Sequence, residues 1–195
     1  KDYDIVLGTK ALLLVLILLY QLMDKMIYKK WHKNFFIETD FKVDKDFWND
    51  YFNDKWEDSN KLYSEYVKDA TGGEDMNKFY VQEIHNFDRK LLRLIKGIWN
   101  EFDIRPKEFR CNFFKVKEGG ELPLHSDVKS KCSFVIPITE NTGELYFDDG
   151  KETDSILYES MVVLNTKKPH GVKSPTKERI VFHMGIHDID FEKLL

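Results

Sequence analysis

The chain changes texture at Pro106. Beyond it, apolar, aromatic and β-branched residues come only in short runs: Phe109 to Val116, Cys132 to Ile138, Glu144 to Phe147, Met161 to Leu164 and Arg179 to Ile186. Turn signals punctuate them at Gly119-Gly120, Asn141 to Gly143, Asp148 to Gly150 and Pro169 to Gly171. Runs this short, rich in residues that suit a pleated surface and broken at each end by turn formers, predict an antiparallel sandwich or barrel.

Before Pro106 the period is helical. Ile84, Phe87, Leu91, Leu94, Ile95, Ile98 and Phe102 fall on one face, and Arg89, Lys90, Arg93 and Lys96 fall opposite. This predicts an amphipathic helix of about five turns. Phe47, Trp48, Tyr51, Phe52 and Trp56 also recur at helical spacing and are read as core rather than as a binding platform. Thr71-Gly72-Gly73 reads as a loop. Helices first and strands second predict an α+β fold, with N-terminal helices packed on one sheet of a jelly roll. At 195 residues there is room for one domain with a real core. It is expected over 31–195, with a helical layer at 31–105 and the jelly roll at 106–195.

Residues 1–30 stand apart. Ile5 to Met23 lacks acidic residues and carries Lys10 as its one charge. It has two readings, a membrane anchor with Lys10 snorkelling to a headgroup layer or a buried helix. If it spans, Lys25, Lys29, Lys30 and Lys33 place the rest of the chain on the cytoplasmic side, tethered to the membrane. Cys111 and Cys132, each inside an apolar run, do not make a disulfide framework and fit a reducing, cytoplasmic compartment. A formal net charge of −4 provides no overall positive field for a phosphate backbone, so nucleic acid is not expected as a partner.

His125-Ser126-Asp127 carries the chemistry. Residues i and i+2 of an extended segment point to the same side, so this imidazole and carboxylate converge. His170, between Pro169 and Gly171, supplies a third donor from elsewhere in the fold. Two histidines and one carboxylate make the facial triad of non-haem iron(II) oxygenases, which leaves adjacent coordination positions open for an oxoacid and dioxygen. Arg179 then begins a strand whose alternation puts Ile180, Phe182, Met184 and Ile186 on an apolar face, and Arg179, Val181 and His183 on the cavity side. A buried Arg needs an anionic partner, and its planar guanidinium suits the far carboxylate of 2-oxoglutarate. His183 faces the same cavity but reads equally as a structural histidine. His32, His85 and His187 have no partners at recognisable spacing and read as ordinary surface or core residues.

With these residues in place, the C-terminal part of the chain, roughly residues 109 to 190, resembles the 2-oxoglutarate and iron(II) dependent dioxygenases, in particular their prolyl 4-hydroxylase-like branch. The resemblance rests on Gly119-Gly120 leading into Leu-His-Ser-Asp, on the strand around Cys132 to Ile138, on Gly143-Glu144-Leu145-Tyr146-Phe147, and on Pro169-His170-Gly171-Val172 followed by Arg179. It implies a double-stranded β-helix in which His125, Asp127 and His170 hold iron(II) and Arg179 holds 2-oxoglutarate. Dioxygen is then activated as 2-oxoglutarate decarboxylates to succinate, and an unactivated C–H bond is hydroxylated. Where many members carry a Tyr on the strand before the HxD, this chain has Phe113 and Phe114. Peptidyl proline, another protein side chain and a free amino acid are all open as substrates, since specificity in such folds lies in loops and flanking helices. The alternative from another class is a non-enzymatic cupin-like module that binds a structural metal or a sugar.

Overall fold

The computed structural model describes residues 29–32, 34–49, 51, 78–140 and 143–195. Ile5 to Met23, Thr71-Gly72-Gly73 and the end of the aromatic stripe at Phe52 and Trp56 lie outside them. Among the described residues no helix is long and apolar enough to cross a membrane.

In chain order the strands are β1 (Lys29–His32), β2 (Phe36–Thr39), β3 (Phe79–Glu83), β4 (Phe109–Val116), β5 (Leu122–His125), β6 (Cys132–Pro137), β7 (Leu145–Asp148), β8 (Thr153–Ile156), β9 (Val162–Leu164), β10 (His170–Val172) and β11 (Arg179–Ile186). Among the described residues the α-helices are α1 (Lys45–Trp48), a single turn, and α2 (Arg89–Glu101), and a short 3-10 helix at Phe191–Leu194 follows the last strand. A seven-stranded sheet runs β1-β2-β9-β6-β11-β4-β3 and a four-stranded sheet runs β5-β10-β7-β8. Every pairing between these strands is antiparallel.

The expected helical layer over 31–105 needs correction. Within it the described residues form β2 and β3 as well as the two helices, and β2 and β3 join the large sheet. The fold is therefore mostly β, with α2 the one helix of several turns among the described residues. That helix is also shorter than its apolar period suggests, because the Asp88 carboxylate accepts from Leu91 N at 2.7 Å and fixes the start after Ile84 and Phe87.

Both faces of the large sheet are covered. On one face Cys111, Phe113, Phe134, Ile136, Phe182, Met184 and Ile186 pack with Leu91, Ile95 and Ile98 of α2 and with Trp48. On the other, Val135, Val162, Leu164 and Val181 meet Leu145, Phe147 and Val172 of the small sheet. The cysteines belong to the helix-side core, where burial pushes the Cys132 thiol up to about 12. There they behave as small hydrophobes.

Phe182 is fully buried at the centre of the helix-side core, stacked on Trp48 with ring centroids 4.9 Å apart and edge-on to Phe113 at 5.8 Å. Phe182→Ala is expected to cost about 3–5 kcal/mol of stability. Lys96→Ala, on the exposed side of α2, should stay within about 0.5 kcal/mol. Denaturant midpoints at constant slope check both.

Candidate metal centre

His125 and His170 are register partners across β5 and β10, so their side chains stand on one face of the small sheet. Their ring centroids are 4.5 Å apart at 45°. The pairing contains a bulge between His170 and Val172, where β5 carries an extra residue at Pro123–Leu124. A proline inside the run is tolerated because β5 is an edge strand, and a bulge re-aims the side chain that follows it.

In each histidine Nδ1 meets a backbone carbonyl: Pro123 O at 2.8 Å for His125, and Lys168 O at 2.9 Å for His170. A carbonyl only accepts, so Nδ1 carries the hydrogen in both rings and Nε2 is left with its lone pair. The carboxylate of Asp127 lies 3.6 Å from His125 Nε2. The donor atoms of His125, Asp127 and His170 all fall within 4.8 Å of one another.

Asp127 sits on a loop that a tight turn holds in place. Thr166 O accepts from Asp127 N at 2.9 Å, and the Thr166 hydroxyl donates to Ser130 O at 2.8 Å. Lys167 Nζ donates to the carbonyls of Asp127 and Val128. Two glycines leave room here that a side chain would fill. A Cβ on Gly171 would lie 2.7 Å from Leu122 O and from the Tyr146 ring, and one on Gly185 would lie 2.7 Å from Ser130 Oγ.

The electrostatics favour a cation. Burial alone would raise the Asp127 carboxyl, but hydrogen bonding to the His125 side chain, with the neighbouring imidazoles adding to it, outweighs burial and holds the group below its ordinary value. Burial opposes charging His125, yet Asp127 and the Pro123 carbonyl raise it on balance. Burial lowers His170, and it takes His183 to about 4, so His183 is neutral at physiological pH. Two imidazoles with free Nε2 atoms and an ionised carboxylate suit a divalent transition metal. The residues present fit iron(II).

Arg179 lines the same cavity as the three donors. It is 4% exposed, its guanidinium donates to the Tyr158 hydroxyl, and it lies 5.5 Å from the centre of that ring. Tyr158 was not singled out in the sequence, since one Tyr in a loop after a polar strand gives no signal. Phe113 turns into the helix-side core, whereas Phe114 lines the cavity and stacks on His183 at 4.5 Å. His183 and His187 also line the cavity. His187 reaches this wall beside residues of other strands, so its sequence spacing carried no signal of the position.

No protein-family model and no curated protein sequence matches the chain. Solved structures resemble it in overall course. A Pseudomonas putida prolyl-4-hydroxylase is 16% identical, with 65% of this chain and 81% of that one covered and a TM-score of 0.45. A Trichoplax adhaerens prolyl hydroxylase, solved with a peptide fragment of the hypoxia inducible factor oxygen degradation domain, is 12% identical over 60% of this chain and 64% of that one, with a TM-score of 0.48. An RmlC-like cupin from Desulfovibrio desulfuricans is 18% identical over 57% and 85%, with a TM-score of 0.36. Likeness at this level includes both oxygenases and a cupin and does not separate them.

Titration calorimetry with a divalent transition metal is expected to show one site per chain that His170→Ala abolishes. Gly171→Ala should weaken the site about 10-fold or more, an effect of the size that supporting groups around metal ligands produce. The reason is that the added methyl must displace the β5 backbone or the Tyr146 ring beside His170.

Proposed function

We propose that this chain is a non-haem iron(II) oxygenase that consumes 2-oxoglutarate and dioxygen to hydroxylate an unactivated C–H bond. One observation carries the reading: two imidazole Nε2 atoms and a carboxylate converge in a cavity whose wall also holds a buried guanidinium. A structural metal site closes its coordination sphere with protein ligands, whereas three donors leave positions for reactants.

His125, Asp127 and His170 would hold the iron. When bound, iron(II) in such a site supplies dioxygen activation coupled to the decarboxylation of a 2-oxoacid. The chain's own residues prepare the ground for it. The carbonyls of Pro123 and Lys168 keep both Nδ1 atoms protonated, so the rings present a fixed tautomer. Arg179 and the Tyr158 hydroxyl would grip the far carboxylate of 2-oxoglutarate, the guanidinium supplying charge and the phenol an added hydrogen bond. Leu145, Val135, Val172 and Val181, which line the cavity, would keep water from the oxoacid chain. The substrate is proposed to be a protein side chain, proline among the candidates, or a free amino acid.

The test is succinate formation from 2-oxoglutarate with iron(II) and air, alone and with panels of peptides and amino acids. Turnover that depends on iron supports the reading. Tight metal binding without succinate under any condition overturns it in favour of a metal-binding module. Arg179→Ala should raise the apparent 2-oxoglutarate constant roughly 30-fold or more, and Arg179→Lys should recover part of the loss because an ammonium lacks the bidentate fork. Tyr158→Phe should raise the same constant about tenfold, the effect of one hydrogen bond to a charged group, with metal affinity measured without 2-oxoglutarate unchanged in all three.

A further inference from the structure

Two polar atoms in the cavity wall are buried without a hydrogen-bond partner among the described residues: Oδ1 of Asn112 and Nδ1 of His183. Both residues line the cavity, and Asn112 is 2% exposed. They are register partners on β4 and β11, so their side chains stand side by side with Cβ atoms about 4.5–5.5 Å apart. Leaving one buried polar group unsatisfied costs about 1–3 kcal/mol. Two such atoms adjacent on a cavity wall mark a place where a ligand completes the hydrogen bonding. The place is near the metal donors, since the Gly185 position lies against both the His183 ring and Ser130 of the loop that carries Asp127. Arg179 is two residue pairs back along β11, about 13 Å at the usual rise per residue.

The chemistry of the two atoms narrows the ligand. Asn112 Oδ1 only accepts, so the ligand must bring an N–H or O–H. A carboxylate would be repelled there and by Asp127. An ammonium or guanidinium would meet Arg110 and Lys129, with Asp127 the one carboxylate among the described lining residues. A neutral carboxamide offers an N–H for Asn112 beside a C=O for the Nδ1–H tautomer of His183. The Phe114 ring, stacked 28° from the imidazole plane, fixes the direction in which that nitrogen points.

We propose that Asn112 and His183 form a station for a neutral carboxamide of the substrate, holding it at the metal end of the cavity, away from Arg179. The proposal rests on the oxygenase reading and adds to it the polar group by which a substrate is positioned. A peptide bond and a side-chain amide share this chemistry, and the test separates them.

The full chain, loaded with zinc(II) and 2-oxoglutarate so that it cannot turn over, is labelled with ¹⁵N-histidine. It is titrated with N-methylacetamide as the peptide group, propionamide as the side-chain amide, and propionate as the charged control. The His183 ring nitrogens are expected to shift with at least one amide and not with propionate, and the stronger amide identifies the source. Asn112→Leu and His183→Phe should each weaken that binding about tenfold, the effect of roughly 1.4 kcal/mol. His183→Gln, which keeps a donor and an acceptor, should restore part of it, and retained zinc affinity shows that each variant is folded. Ring nitrogens unmoved by either amide in the unaltered chain would overturn the proposal and leave an ordered water as the occupant, as would propionate binding equally well. If the amides bind as expected but no succinate is ever formed from 2-oxoglutarate, the station stands and the oxygenase reading falls. If succinate forms and the amides leave His183 unmoved, the reverse holds.

Discussion

The alternation of Arg179–Ile186 obliges one strand to serve two interiors. Phe182, Met184 and Ile186 close the core beneath α2, and Val181 meets the small sheet on the opposite side. Each pleat that buries an apolar residue on the helix side therefore turns the next residue toward the cavity. This is how an Arg and a His come to stand in an interior at all. β4 and β6 flank β11 in continuous register, so a slip of one residue would exchange the two faces and put the guanidinium into the helix-side core. The stability of the core and the composition of the cavity are set by the same constraint.

The candidate centre depends on backbone more than on side-chain chemistry. Two carbonyls choose the tautomers, a bulge at an edge strand aims His125, and the turn at Thr166 and Lys167 ties down the loop that carries Asp127. A site built in this way can be preorganised before any ligand arrives. His183 differs from the triad in this respect, for it keeps a buried Nδ1 with no hydrogen-bond partner among the described residues.

How much of this was legible in the sequence varied with position in the sheets. Phe109–Val116 and Arg179–Ile186 match their apolar runs residue for residue, since strands buried on both faces write a continuous signal. β1, β3, β5 and β8 are edges of their sheets, and edges are kept short, polar or interrupted to discourage pairing with other chains. Hence Thr153–Ile156 and the Pro123-containing β5 carry no strand pattern. His125, Asp127 and His170 stood out because spacing and residue type coincided. Tyr158, Thr166 and Asn112 did not, because what distinguishes them is a neighbour brought from a distant strand or turn.

The central claim is that the triad and Arg179 hold one ligand between them, and an anaerobic titration of 2-oxoglutarate into the chain with and without iron(II) tests it most directly. Two sites that share a ligand must be coupled, and the coupling is reciprocal. The account predicts 2-oxoglutarate affinity at least about tenfold higher in the metal-loaded chain, or roughly 1.4 kcal/mol of coupling, with iron affinity raised by the same factor when 2-oxoglutarate is present. Equal affinity with and without the metal would contradict it.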